Sequence, residues 1–349
     1  MRVYLNFTPR ASPYGGANSF LRTLMHELAR HGVSFTADPA AQVDIALLNA
    51  LTDNLDLARV RHIAERGVPI VHRKTGYRGR GVAELRREVD GVLEGDRRQI
   101  EFGPFVSHTI FKSGYSRDVF VASGFKGASS VIWNGVDESV FNMSRNPRIG
   151  GRRPRQLWRQ GQRLRVVIST WSTDESKGFA YYRAIDAALR GRRDVVITLV
   201  GRVPDATRFA EIRVRSARRT RSLAELLKHQ HVLLQLTRWE SCSNALIEGL
   251  NCGLPAVYLE SGANPEIAAP YGAPFHDDLD EALERLLPRY GDIVAALPEN
   301  PYRISLVAPR YLAVLDAVAR GLPVPADDAS VSSGGLLAAP ARSHPVDGD

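Results

Sequence analysis

The chain is poor in sulfur and in lysine, and it has no long apolar run. Among its 349 residues are two cysteines, Cys242 and Cys252, and three methionines. Neither the number nor the spacing of the cysteines supports a disulfide framework or a metal site, so no metal is expected and a reducing cytoplasm is the default. No stretch of about 18 apolar residues occurs, which excludes a helix of the kind that spans a bilayer. The opening Met1–Phe7 carries one arginine and turns polar at Thr8, without the apolar region of a signal peptide, and reads as a first strand. Only five of the 46 basic residues are lysine, and 38 acidic residues leave a formal charge of +8. No nucleic-acid motif accompanies that charge, so we read it as solvated arginine of a high-GC genome and expect no nucleic-acid partner. A basic face meeting anionic lipid keeps peripheral membrane contact open.

What remains is a globular composition, 44% hydrophobic and 24% charged, in a chain long enough for two domains. Strand and helix patterns alternate along it. Arg2–Phe7 is a strand, Ser19–His31 a helix capped by Asn18 or Ser19, and the loop between them holds Gly15 and Gly16. Such a glycine pair lets backbone amides approach a ligand, or makes a tight turn with no ligand. Val43–Leu48 and Val68–Val71 are buried strands around a helix at Leu55–Arg66. The second of them runs into His72, Arg73, Lys74 and Tyr77, a polar cluster at a strand's carboxyl end, where open α/β sheets bind ligands. It is a candidate acceptor wall, with a solvated loop as the alternative. Glu84, Arg86, Arg87 and Glu88 read as a solvated helix face. Strands follow at Ser107–Lys112 and Ser129–Trp133, with a helix from Ser116 to Ala122. Asn134-Gly135 then marks a sharp turn.

The second half repeats the pattern. Strands are expected at Leu164–Ser169, Val195–Val200, Glu211–Val214, Val232–Leu236 and Ala256–Leu259. Helices are expected after Gly178, over Leu223–His229 with Ser222 and Glu225 as a capping box, and over Leu279–Leu287. His276-Asp277-Asp278 reads as helix capping rather than a metal cluster. The most informative stretch is Leu233–Glu266. A helix opens there on Ser243 and Asn244, and the amides of Ser243, Asn244 and Ala245 would point at an anion. Glu248 lies one turn further in, about 6 Å along the axis, where a carboxylate suits ribose hydroxyls. Glu240 precedes the helix and could accept from sugar hydroxyls. Lys177 sits before a helix in the same half, where an ammonium could neutralise charge on a departing diphosphate. Two charged residues on an exposed helix start, and a solvated lysine, are the plain alternatives.

Taken together these segments resemble the retaining nucleotide-sugar glycosyltransferases of the GT-B fold, family 4. Glu240 and Glu248 match the family's E-x7-E motif, within a longer match from Glu240 to Gly253 and Pro255. Ser261–Glu266 is similar to the Gly-rich turn that follows it. Asn134-Gly135-Val136-Asp137 with Phe141 is similar to the stretch that closes the first domain, and Trp171–Gly178 to the donor loop with its Lys-Gly pair. The resemblance implies an α/β protein of two Rossmann-like domains with parallel sheets facing across a cleft. Residues 1–145 would form the acceptor-side domain, 146–163 the linker and 164–301 the nucleotide-sugar-binding domain. A helix at 302–320, interrupted by Pro309, would return to the first domain, and 321–349 would be a disordered tail.

By the same resemblance, Lys177 stabilises the leaving diphosphate and Glu240 contacts the donor sugar, the two catalytic candidates. Glu248 holds the ribose, and Gly15 and Gly16 approach the phosphates or the sugar. The co-substrate would be a nucleotide-diphosphate sugar, with no further cofactor. The acceptor would be a hydroxyl of a small-molecule natural product or a cell-envelope glycan. One feature departs from the family: many members carry an arginine shortly before Lys-Gly, where this chain has Thr170-Trp171-Ser172. Arg202 or Arg238 could supply that charge, or hydroxyls of Ser172 or Thr173 could replace it. An inverting enzyme would instead need a base, for which His72 and His108 are candidates. A nucleotide-sugar epimerase of the same fold, or a non-catalytic nucleotide-sugar-binding subunit, are the alternative readings.

Overall fold

A computed structural model describes residues 1–9, 15–49, 55–74, 97–145, 153–154, 157–216 and 219–325. Tyr77, the Glu84–Glu88 helix face, half of the 146–163 segment and the tail beyond 325 lie outside them. The first half contains β1 (Arg2–Leu5), α1 (Gly15–Arg30), β2 (Ser34–Thr36), β3 (Ile45–Asn49), α2 (Leu57–Glu65), β4 (Ile70–Arg73), β5 (His108–Phe111), α3 (Gly114–Ala122) and β6 (Ser129–Val131). Two two-residue strands, β7 (Ser144–Arg145) and β8 (Arg153–Pro154), follow and pair antiparallel. The second half contains β9 (Leu164–Thr170), α4 (Phe179–Ala188), β10 (Val195–Gly201), β11 (Arg213–Ser216), α5 (Thr220–Leu227), β12 (Val232–Gln235), α6 (Asn244–Asn251), β13 (Ala256–Leu259), α7 (Asn264–Ala268) and β14 (Gly272–Phe275). Three more helices end it: α8 (Leu279–Leu286), α9 (Tyr290–Ala296) and α10 (Ile304–Ala319).

The architecture is α/β, with two six-stranded parallel sheets. Their strand orders are β2-β1-β3-β4-β5-β6 and β11-β10-β9-β12-β13-β14. Helices cover both faces, so central strands such as β3 (IALLN) and β12 (VLLQ) are buried along their whole length. In each sheet the order reverses beside one strand, at β1/β3 and at β9/β12. Chains leaving those strand ends diverge and open a crevice. Lys177 follows β9 and Glu240 follows β12, so the second crevice receives both. The last helix, α10, packs through Val307, Tyr311 and Leu315 among Val3, Leu5, Leu21 and Leu24 of the first half.

Several boundaries differ from the sequence reading. Helix α1 begins at Gly15, one turn before Asn18, so the glycine pair forms its first turn. The apolar stripe starts only at Phe20 and marks the buried part of the helix, which continues beyond it. Helix α5 starts at Thr220 with Arg219 as a cap that makes no side-chain bond, and Ser222 lies inside the first turn. Pro309 sits inside α10 without interrupting it, since one missing N–H removes one ladder bond. Strands β2 and β14 and helices α7 and α9 had no counterpart in the sequence reading. Asp278 caps α8, its side chain accepting from Asp280 N.

The two halves are tied by Glu266 of α7. Its carboxylate accepts from Gly114 N at 2.9 Å and Tyr115 N at 3.1 Å, the open amides of α3, and from Trp133 Nε1 at 2.5 Å. Trp133 also stacks edge-on against Tyr302. These bonds join a charged acceptor to three donors, so Glu266→Ala is expected to cost about 2–4 kcal/mol. Chemical denaturation of the variant checks this, and a loss under about 0.5 kcal/mol would mean that the clasp holds nothing.

Candidate functional site

A cavity of about 730 Å³ lies between the two sheets. The loops after β9 and β12 enter it from the second half, and both depend on backbone that few residues adopt. Gly178 has φ +93°, and a Cβ there would stand 2.5 Å from Leu236 O. Trp239 has φ 52°, a strained value for a bulky residue. Its amide donates to Ser261 Oγ, and Ala263 N donates to Glu240 O at 2.8 Å. Gly262, at φ +62°, lies so close to the backbone of Glu240 that a Cβ would approach its O and N at 2.5 and 2.6 Å. The two turns lock each other and aim Glu240 at Lys177. Lys177 Nζ and Glu240 Oε2, 63 residues apart in sequence, meet at 2.6 Å.

Helix α6 supplies the floor. Ser243 caps it, its Oγ accepting from Leu246 N, and Asn244, Ala245 and Glu248 line the cavity beside it. Glu248 is 9% exposed, and no described residue hydrogen-bonds its carboxyl. Burial therefore pushes its pKa up to about 8. Ser172 and Arg202 line the same cavity. Arg238 does not: it donates to Tyr181 OH at 2.6 Å and lies over the Tyr181 ring. Of the two arginines considered for the missing cation, only Arg202 reaches the cleft.

From the first half, Asn18, Ser19, Arg22, Arg73, Lys112 and Asn134 face the cavity. Gly15 and Gly16 stand at the start of the same helix as Asn18, Ser19 and Arg22. Arg73, 1% exposed, donates from Nε to Tyr311 OH, from one terminal nitrogen to Asn49 Oδ1 and from the other to Asn134 Oδ1. It also lies 4.6 Å from the centroid of the Phe20 ring. Asn134 Nδ2 in turn donates to Asn244 Oδ1 at 2.7 Å, which ties the first-half wall to the start of α6.

The acceptor wall read from sequence is corrected in part. Side chains alternate across a strand, so Arg73 points one way while His72 and Lys74 point the other. His72 is fully buried against Phe102, and its ring nitrogens have no described partner. Burial, then the Lys74 charge, holds its pKa well below the usual value and keeps the ring neutral. Lys74 donates to Gln99 O and lies over the Phe120 and Phe125 rings. Neither lines the cavity, nor does His108, which is bonded to Ser130 Oγ. Among the described residues no group of three or more His, Cys, Asp or Glu could hold a metal. None of the described helices is long and apolar enough to cross a membrane.

Lys112, Asn134 and Asn18 were missed as site residues. A lysine closing a buried strand was the available signal for Lys112, and no sequence pattern announces the bond from Asn134 to Asn244. Lys112 is 9% exposed and makes no hydrogen bond to a described residue. Burial, then the Arg73 charge, pulls its pKa down to about 8.

No protein-family model matches the chain, and no curated protein matches it. Solved structures do. A sucrose-phosphate synthase from Thermosynechococcus elongatus aligns over 92% of this chain and 99% of its own, with TM-score 0.64 and 12% identity. A glycosyltransferase involved in avilamycin A biosynthesis aligns over 92% and 98%, with TM-score 0.59 and 15% identity. A Listeria monocytogenes protein assigned as a UDP-N-acetylglucosamine 2-epimerase aligns over 93% and 98%, with TM-score 0.56 and 12% identity. The two six-stranded parallel sheets are those of GT-B glycosyltransferase structures, and at these identities the likeness is one of fold.

The carboxyl of Glu248 gives a pH test of the cleft. Its folded pKa lies above its unfolded one, so between about pH 4.5 and pH 8 the native state holds a proton that the unfolded chain releases. Stability should fall across that window, by at most about 5 kcal/mol at 1.36 kcal/mol per unit. Glu248→Gln should match the wild type near pH 4.5 and exceed it at pH 8 in urea unfolding. Parallel curves for the two proteins would show that the carboxyl is not buried in this way.

Proposed function

We propose that the protein transfers a sugar from a nucleotide-diphosphate sugar to an acceptor hydroxyl, with retention of the anomeric configuration. The observation that carries the reading is the assembly of Lys177, Glu240, the α6 start and Glu248 along one cavity. Open amides at Asn244 and Ala245, with the positive end of the helix, suit a diphosphate. A buried carboxyl without a hydrogen-bond partner among the described residues, one turn further in, suits the ribose hydroxyls. Glu240 accepts from hydroxyls of the donor sugar, and its ion pair with Lys177 presents the ammonium toward the leaving group.

In the reaction the bond between the anomeric carbon and the diphosphate oxygen breaks, and its electron pair leaves with the diphosphate. Lys177 and the α6 amides stabilise that charge. The acceptor oxygen bonds to the anomeric carbon on the face the diphosphate vacates, and its proton passes to a departing phosphate oxygen. No side-chain base is needed, in keeping with the distance of His72 and His108 from the cleft. Arg202 supplies the second positive charge at the diphosphate. The sucrose-phosphate synthase and the avilamycin-pathway glycosyltransferase share this fold over nearly their whole length, and so does the assigned epimerase. The likeness to the assigned epimerase makes donor consumption without an acceptor the result to look for against a transferase.

A thermal-shift screen against UDP, dTDP, GDP and ADP sugars should give a rise with one nucleotide class, and no response to any would remove the donor reading. With that donor and an acceptor, Lys177→Ala should lower kcat by at least a hundredfold, and near-normal turnover would refute its role. NMR of the product should show the donor's anomeric configuration. An inverted anomer would sink the retaining mechanism.

A further inference from the structure

The walls of the cavity differ in charge. Among the described residues its carboxylates, Asp174, Glu240 and Glu248, come from the second half. The described part of the first-half wall brings three cations, Arg22, Arg73 and Lys112, and no carboxylate. Two of those cations are buried. Arg73 is hydrogen-bonded to neutral groups only, three of its five N–H being used by Tyr311, Asn49 and Asn134, and no described carboxylate pairs with it. Lys112 has no hydrogen-bond partner at all among the described residues. An ammonium held in a largely buried wall without a protein partner is costly, and an anion entering the cavity that it lines would offset that cost.

Resting on the transferase reading above, we propose that the acceptor is itself an anion: a small hydroxyl compound carrying a phosphate or carboxylate group, which Lys112 and Arg73 hold against the first-half wall. Lys112 fits this as a compact charge with three donors, and Arg73 offers its two remaining N–H groups beside it. The neutral donors Asn18 and Ser19 stand on the same wall for the hydroxyls. An uncharged sugar would leave the donor's diphosphate, already held by Lys177 and the α6 amides in the reading above, as the remaining anion in the cleft. The charged and titratable groups felt by Lys112 are Arg73, Cys242, Glu240 and Lys177. Arg73 and Lys177 disfavour its protonation, Glu240 favours it, and burial keeps the Cys242 thiol neutral. An added anion would raise the Lys112 pKa, so binding above about pH 8 should take up a proton.

Calorimetric titration of the full chain tests the proposal. The chain is first saturated with whichever of UDP, dTDP, GDP and ADP it binds. Inorganic phosphate, glycerol 3-phosphate and glycerol, then glucuronate and glucose, are titrated in turn. Phosphate and at least one anionic probe should bind at least tenfold more tightly than glycerol and glucose. A preference for the phosphoester or for glucuronate identifies the anionic group. Lys112→Met should weaken the anion at least tenfold and leave the nucleotide Kd within twofold, whereas Lys177→Met should weaken the nucleotide. Lys112→Gln serves if the methionine variant does not fold. Two results overturn the proposal: no anion bound to the nucleotide-saturated chain, or a nucleotide Kd as impaired by Lys112→Met as by Lys177→Met. If no nucleotide binds, the transferase reading fails separately, and the same anion titration on the free chain still decides for or against the wall.

Discussion

The cleft depends on a buried guanidinium. Arg73 ends a central strand of the first sheet, 1% exposed, and spends its hydrogen bonds on Asn49, Asn134 and Tyr311. Each partner belongs to a different element: β3, the segment after β6, and α10. One fork therefore fixes the sheet, the chain leaving the first half and the helix that returns to it. Asn134 passes the constraint on, since its amide oxygen accepts from Arg73 while its nitrogen donates to Asn244 at the start of α6. The phosphate-binding candidate is thus positioned from the opposite half of the molecule. Loss of the guanidinium would free three acceptors at once, which is why its burial is tolerable: the charge is costly, but three of its five N–H groups are bonded.

Much of the fold was legible because it is periodic. Alternating apolar runs and 3.6-residue stripes mark strands and helices, and the short links between them impose a parallel sheet. The second-half site was legible for a related reason. Its parts are local: Ser243 to Glu248 is one helix turn, and Lys177 sits before its own helix. What could not be read was contact across the chain. The ion pair of Lys177 with Glu240 spans 63 residues, and it forms only because β9 and β12 are neighbours in the sheet. The turn that aims Glu240 requires a left-handed Trp239, a conformation that no propensity would assign to tryptophan.

The first-half wall was misread for a reason that the sequence already contained. His72, Arg73 and Lys74 look like one polar cluster when taken as a loop. As the end of a strand they are sorted by its period of two. Ile70 belongs to the core on the α2 face and Val71 to the core beneath α1 and α10. Extending that alternation sends His72 and Lys74 to the first face and Arg73 to the second. The scarcity of lysine carries more information than composition suggests. In a chain that uses arginine almost everywhere, four of the five lysines are buried or in the cleft: Lys74, Lys112 and Lys228 are buried and Lys177 half-buried. Arginine suits solvated faces and forked contacts, and these positions hold a compact charge.

Burial acts on both sides of the cleft and in opposite senses. It raises the Glu248 carboxyl to about 8 and lowers the Lys112 ammonium to about 8. Both groups are shifted toward their neutral forms, although they belong to different halves and neither is the other's partner. Two groups poised in this way define what would relieve them together. Hydroxyl donors are needed at Glu248, and a fixed negative charge at Lys112. In the two-substrate reading proposed above, the donor brings ribose hydroxyls to α6 and the acceptor an anion to the first-half wall. The charge difference between the described parts of the two walls supports that reading, because a buried carboxyl and a buried ammonium call for groups of opposite kind.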